Sequence, residues 1–217
     1  EDLGYRRAEL LNESVREGAR GDLLVFIDSD CLPDLDFVRA YAENAAKNAF
    51  YLGGVYALNR EFTESLLSQA QPIQITDVVT RARHPENQSP GAARRVRKRY
   101  RKSRLYTALH WRQPKIWGGN FGVNRDVFEA INGLDENYTG YGQEDSDIRS
   151  RLVKGGYRPV CLHTKARTFH LWHGTTTAHE ETGAGGRKQR HNRAYYNRTQ
   201  VEVVCRNGLR QLPEQNF

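Results

Sequence analysis

Asp28 and Asp30 stand one residue apart at the end of the apolar run Leu-Leu-Val-Phe-Ile. If the strand continues through them they share a face, because residues two apart in a strand point the same way. Neighbouring carboxylates repel, and burial sharpens the conflict. A divalent cation resolves it, since Mg2+ and Mn2+ take hard oxygen ligands and bridge one or two carboxylates to substrate phosphates. The carboxyl ends of strands in parallel α/β sheets form the ligand crevice, which is where this pair would sit. By themselves the two aspartates are equally compatible with a turn leading into a helix at residue 34.

Two further groups carry chemistry. The stretch Gly-Tyr-Gly-Gln-Glu-Asp-Ser-Asp puts Glu144, Asp145 and Asp147 in the first turns of a helix reached through Gly140 and Gly142. Acids at a helix start suit the macrodipole, and Asp147 can pair with Arg151 one turn on. Neither fact accounts for the glycine-aromatic-glycine approach, which lets a loop pass close to a ligand. Asp145, partly desolvated there, is placed to accept a proton from an attacking hydroxyl. Finally His170 and His173 flank Leu-Trp before Gly-Thr-Thr, and a turn would bring both imidazoles to one ion.

The elements that must position these groups alternate. Helical pattern covers residues 5–18, strand 23–28, helix 34–49 with Phe37, Val38, Tyr41 and Ala45 on one face, and strand 51–58. Residues 63–80 are ambiguous. Strand 116–124 carries glycines where backbone must approach something closely. A short helix, a helix over 143–154 stopped by Gly155-Gly156, a strand at 157–163 and a terminal helix over 187–207 complete the chain. Alternation of this kind argues for α/β, with strands apolar on both faces as in a covered parallel sheet. The chain of 217 residues, 38% hydrophobic and 27% charged, has globular composition, and no window is apolar enough to span a bilayer.

The net charge of +7 is concentrated. Eight cations and no acid lie between Arg94 and Arg104, and without them the chain is near neutral, so nucleic acid is not an expected partner. This basic stretch, within about residues 84–112, is expected to be a mobile insertion that turns helical on meeting an anionic membrane, a nucleotide diphosphate or an acidic glycan. Three cysteines without zinc spacing point to reduced thiols and a cytoplasmic location, with membrane association as a variant. Sequons at Asn12, Asn87, Asn137 and Asn197 keep a secretory lumen open.

The order Phe-Ile-Asp-Ser-Asp-Cys-Leu-Pro, then Trp-Gly-Gly-Asn-Phe through Gly-Tyr-Gly-Gln-Glu-Asp-Ser-Asp to Arg-Leu, then Phe-His-Leu-Trp-His resembles the nucleotide-sugar glycosyltransferases of the GT-A fold. The likeness is to family-2 enzymes with a galactosyltransferase-type C-terminal segment, and runs from about Arg7 to His173. It implies a Rossmann-like, mostly parallel sheet flanked by helices across a single domain of residues 1–217. It implies Asp145 as catalytic base with Glu144 bonding sugar or acceptor hydroxyls. Asp28, Trp117, Gly118, Gly119 and Tyr141 would bind donor and sugar, Tyr141 standing where many relatives carry Trp. Asp30, His170 and His173 would hold Mn2+ or Mg2+ on the donor diphosphate, the donor being a UDP-sugar and the acceptor a glycan, with inversion at the anomeric carbon.

The opening helix with Arg6, Arg7 and Asn12 resembles the segment before the Asp-x-Asp strand, so the nucleotide-binding part that precedes it is expected to be missing. Two other classes compete. A glycan- or membrane-binding module without turnover would fit the truncated start and the basic stretch, and a metal phosphoesterase or nuclease would use the acids and histidines, with the basic stretch for a phosphate backbone, but not the glycine-aromatic-glycine approach.

Overall fold

The computed structural model describes residues 6–69, 71–109, 114–174, 184–197 and 201–213. In chain order the first half comprises α1 (Arg7–Glu17), β1 (Leu23–Phe26), β2 (Cys31–Pro33), α2 (Phe37–Ala42), β3 (Ala49–Leu52), β4 (Gly54–Ala57), α3 (Arg60–Leu67) and α4 (Ile75–Ala82). The second comprises α5 (Ala92–Leu109), β5 (Phe121–Asn124), α6 (Arg125–Ala130), α7 (Glu144–Lys154), β6 (Arg158–Cys161), β7 (Arg167–His170) and α8 (Ala184–Tyr196).

The strands form two sheets, ordered β1-β5-β3-β6 and β2-β7-β4. The expected parallel sheet is instead mixed. β5 runs antiparallel to both its neighbours, β3 and β6 are parallel, and β7 is antiparallel to β2 but parallel to β4. The apolar runs that suggested parallel strands reflect cover on both faces, which an antiparallel strand inserted in the middle of a sheet receives equally. The run over 51–58 divides at Gly53-Gly54, where the chain leaves one sheet for the other. A Cβ on Gly54 would lie 1.9 Å from the His163 carbonyl oxygen, so only glycine fits this crossing.

The core of the first sheet is aromatic. Phe26 stacks on Phe121 with ring centroids 4.9 Å apart and lies 5.4 Å from Phe128. Ile131 and Leu134, from the turn after α6, and Ile148 and Leu152 of α7 close over them. Tyr56, Leu58, Phe62, Val79, Val96 and Phe169 form the core of the second sheet. The helix expected over 34–49 is the short α2, and Val38, expected on the same face as Phe37 and Tyr41, is 77% exposed while those two go inward.

The basic stretch, expected to be a mobile arm, is the helix α5, seated on the sheets by buried Ala92, Val96 and Ser103. These small residues recur at near-helical spacing, a stripe hidden by the arginines around it. The terminal helix ends at Tyr196, and residues 201–213 are irregular. There the Asn132 side chain donates to the Cys205 and Arg210 carbonyls, which lays the segment over the turn at Asn132-Gly133. Among the described residues no helix is long and apolar enough to cross a membrane.

Of the three acids expected at the start of α7, Asp147 is structural. It and Arg151 are both 0% exposed, their side chains 2.7 Å apart, with the Tyr138 hydroxyl donating to Asp147 and Arg151 donating to the Ile131 carbonyl. A buried charge that loses its partner is strongly destabilising. Asp147→Ala should therefore lower unfolding stability by about 3–5 kcal/mol, seen as a reduced urea midpoint at unchanged slope, and adding Arg151→Met should recover much of the loss.

Candidate active site

Arg7, in the first turn of α1, is the centre of the site. Its Nε donates to Asp28 Oδ1 at 3.2 Å, one terminal nitrogen to Asp145 Oδ1 at 3.0 Å, and the other to the Gly118 carbonyl at 2.7 Å. The Gly118 N–H in turn donates to Asp145 Oδ2 at 2.8 Å. Three segments far apart in sequence are thus tied by one guanidinium, whose planar fork suits two carboxylates at once. α1 is held for this task by buried Asn12, which exchanges hydrogen bonds with the Leu134 backbone. A Cβ on Gly118 would come within 2.8 Å of the Arg7 guanidinium, which accounts for the glycine there.

Asp28 and Asp30 do not share a strand face, because β1 ends at Phe26 and a turn closes with the Cys31 N–H on the Asp28 carbonyl. Their repulsion is relieved by separation: Asp28 turns to Arg7, Asp30 to the histidines. Antiparallel pairing of β2 with β7 sets Cys31 opposite His170, and the Leu171 N–H bonds the Asp30 carbonyl. Asp30 Oδ2 then lies 3.3 Å from Nε2 of His170 and 3.3 Å from Nε2 of His173. Ligand atoms of all three lie within 4.8 Å of one another. Asp30 Oδ1 is buried with no hydrogen-bond partner among the described residues, so a cation would satisfy it. One carboxylate and two imidazoles are a donor set that suits a transition ion such as Mn2+ better than Mg2+, which prefers oxygen throughout.

Arg7, Asp28, Trp117, Gly118, Gly119, Tyr141, Glu144, Asp145 and His170 line one cavity of about 610 Å³. Each residue expected to bind donor, sugar or cation or to act as base therefore lies on this cavity or in the histidine cluster at its rim, whereas Asp147 does not. Trp117 is 39% and Tyr141 51% exposed, so both offer aromatic faces to a ligand. Burial pushes the Asp145 carboxyl above its ordinary value, against the pull of Arg7 and the Gly118 N–H. Burial, then the charge of Asp145, pushes Glu144 up as well, and Glu144 Oε2 is buried without a hydrogen-bond partner.

Sequence reasoning left Arg7 out of the site proper and missed Asn192 altogether. Buried Asn192, on α8, donates to the Gly142 carbonyl at 3.0 Å and the Gly140 carbonyl at 3.4 Å, fastening the loop that carries Tyr141. Gly140, Gly142 and Gln143 all have positive φ, and Gln143 leads straight into α7. Loop and helix start are therefore shaped together. Arg95, Arg99, Lys115 and Arg149 also line the cavity. The charge run had pointed to a surface, with no signal that one face of α5 looks inward.

The cleft brings together acids on α/β loops, a carboxylate–histidine cluster at its rim and aromatic walls. Residues 98–174 match the family model described as the N-terminal domain of galactosyltransferase, which bears out the resemblance drawn from the motifs. No curated protein matches the chain significantly. Among solved structures, the mannosyltransferase PcManGT from Pyrobaculum calidifontis, in complex with GDP-Man and Mn2+, aligns with a TM-score of 0.44 and 16% identity over 89% of this chain. The chain covers 50% of that protein's length, and a likeness so distant says nothing of what this chain binds.

The raised Glu144 carboxyl yields a test. Folding disfavours its charged form, a cost present at neutral pH that vanishes once acid protonates Glu144 in folded and unfolded chains alike. Glu144→Gln should raise Tm near pH 7, and the advantage should shrink to nothing on acidification below about pH 4, measured by thermal melts across pH.

Proposed function

We propose that the chain is the catalytic part of a metal-dependent, inverting glycosyltransferase moving a sugar from a nucleoside-diphosphate sugar, UDP-linked, to a hydroxyl of a glycan. The observation that carries this reading is the single cavity in which Asp145, Asp28 and Glu144 face the rim formed by His170 of the Asp30–His170–His173 cluster.

Asp145 is the base. Its two oxygens are held by Arg7 and Gly118, which fix the carboxylate while leaving lone pairs to accept the acceptor's proton. Burial makes it a stronger base, and Arg7 limits that rise. As the hydroxyl loses its proton to Asp145, its oxygen bonds the anomeric carbon and the bond from that carbon to the phosphate oxygen breaks. The departing nucleoside diphosphate takes the electron pair. Asp30, His170 and His173 would hold the cation, which supplies positive charge to stabilise that leaving group. Trp117 and Tyr141 present faces for pyranose rings, and Glu144 is set to bond hydroxyls. One displacement of this kind inverts the anomeric centre.

The outer face of α5, with Arg94, Arg97, Lys98, Arg101 and Lys102 exposed, supports contact with an anionic membrane surface.

Mn2+ together with a UDP-sugar should raise the Tm of the full-length protein more than either alone, and more than a GDP-sugar does. His173→Ala should abolish the Mn2+ contribution. Asp145→Asn should keep the donor-dependent stabilisation while transfer falls by about 10²–10⁴-fold, read by release of nucleoside diphosphate. Transfer at the unmodified rate would rule out Asp145 as the base.

A further inference from the structure

α5 divides its arginines between two environments. Arg94, Arg97 and Lys98 are exposed outside the cavity, whereas Arg95, itself exposed, and half-buried Arg99 line it together with exposed Lys115 and, from α7, half-buried Arg149. Of the cations around this cavity, Arg7 is taken up by Asp28 and Asp145. The other four make no salt bridge among the described residues. Arg95 donates to the Pro90 carbonyl at 2.7 Å and Arg149 to the Tyr196 hydroxyl at 2.9 Å, both neutral acceptors, and Arg149 Nε is buried with no partner.

Like charges one helical turn apart destabilise a helix, and Arg95 and Arg99 stand at that spacing with no acid between them. Burial, then the charge of Arg95, brings Arg99 down to about 10, so it remains a cation at neutral pH. His163, beside Arg99, is held down to about 4 by burial and by Arg99, and adds no opposing or extra charge there. Glu144 is the one carboxylate lining the cavity that Arg7 does not bind directly. An anion in the cavity would relieve this unbalanced positive wall.

The position of the wall says which part of the substrate carries that charge. The Arg99 guanidinium lies 3.2 Å from the centre of the Trp117 ring, and the next residue, Gly118, holds Asp145 through its N–H. Arg149 follows Asp145 by one turn on the same face of α7. The cations therefore surround the base, where the acceptor hydroxyl is received, while the leaving diphosphate has the Asp30–His170–His173 cluster. We propose that the acceptor is an anionic sugar, bearing a carboxylate or phosphate that Arg99, Lys115 and Arg149 bind while Asp145 receives its hydroxyl. This rests on the glycosyltransferase reading and adds the acceptor's chemical class. Arg99 stacked on Trp117 is preorganised, because its plane is held before the ligand arrives.

The test uses matched disaccharides ending in glucuronate, in 6-phosphoglucose or in glucose, added to the full-length protein and followed by calorimetry at two salt concentrations. A charged-assisted contact of this sort is worth roughly a factor of ten or more in affinity. The charged sugars should bind at least tenfold more tightly than glucose-ended ones, by a margin that falls with salt. The two charged arms tell carboxylate from phosphate. Arg99→Gln should shrink the charged-to-neutral ratio about tenfold, Arg99→Lys less, and Lys115→Gln, an exposed position with no packing role, carries the test should Arg99→Gln fail to fold.

Equal binding of charged and neutral sugars by the unmodified protein overturns the proposal. So does a result in which Arg99→Gln weakens a nucleoside diphosphate but leaves the ratio unchanged, since the cations would then serve the donor. Release of nucleoside diphosphate from UDP-sugars and Mn2+ with the three disaccharides present, assayed on the unmodified protein, reads the transferase activity separately. Release without charge discrimination sinks the anionic acceptor alone, and discrimination without release and without stabilisation by any nucleotide sugar sinks the transferase reading while the anion subsite stands.

Discussion

The arrangement turns on one guanidinium. Arg7 joins the loop after β1, the turn before β5 and the start of α7 by hydrogen bonds to Asp28, Gly118 and Asp145. Without it, the Asp28 and Asp145 carboxylates, both within hydrogen-bond reach of the same group, would repel each other. With it, the repulsion becomes attraction to a shared centre. The same contact tempers the rise in Asp145 basicity that burial causes, so a structural tie also sets the chemistry of the group it holds.

The two aspartates of the Asp-Ser-Asp motif show how the fold separates tasks that sequence places side by side. Asp28 belongs to the Arg7 system and looks into the cavity. Asp30 belongs to the second sheet, where pairing of β2 with β7 delivers it to His170 and His173. The turn between them lets a strand end in one sheet and resume in another within a few residues, so the cation cluster and the base stand at two sides of one space.

Charge is similarly partitioned on α5. A run of arginines that would repel itself as an isolated helix is seated by Ala92, Val96 and Ser103, and its charges are then shared between solvent and cavity. Packing of an apolar stripe, more than intrinsic preference, holds such a helix in place. Arg99 gains a second support from the Trp117 ring.

Much of the site was legible in residue order. Asp28, Asp30, Glu144, Asp145, His170 and His173 are chemically conspicuous, their spacing relative to strand ends and glycines is local, and local pattern is what a sequence displays directly. Most helices and strands were legible for the same reason, as periodicity is a property of neighbours. Sheet direction was not, because an antiparallel strand covered on both faces reads like a parallel one. Nor was the role of Arg7, whose three partners lie as far as residue 145, or of Asn192 and Arg99, which reach the site only once α8 and α5 have docked. Sequence by itself determined which groups could bind a cation or move a proton; tertiary structure alone decided which of them meet, because contacts between distant residues follow from packing and strand pairing that no local spacing encodes.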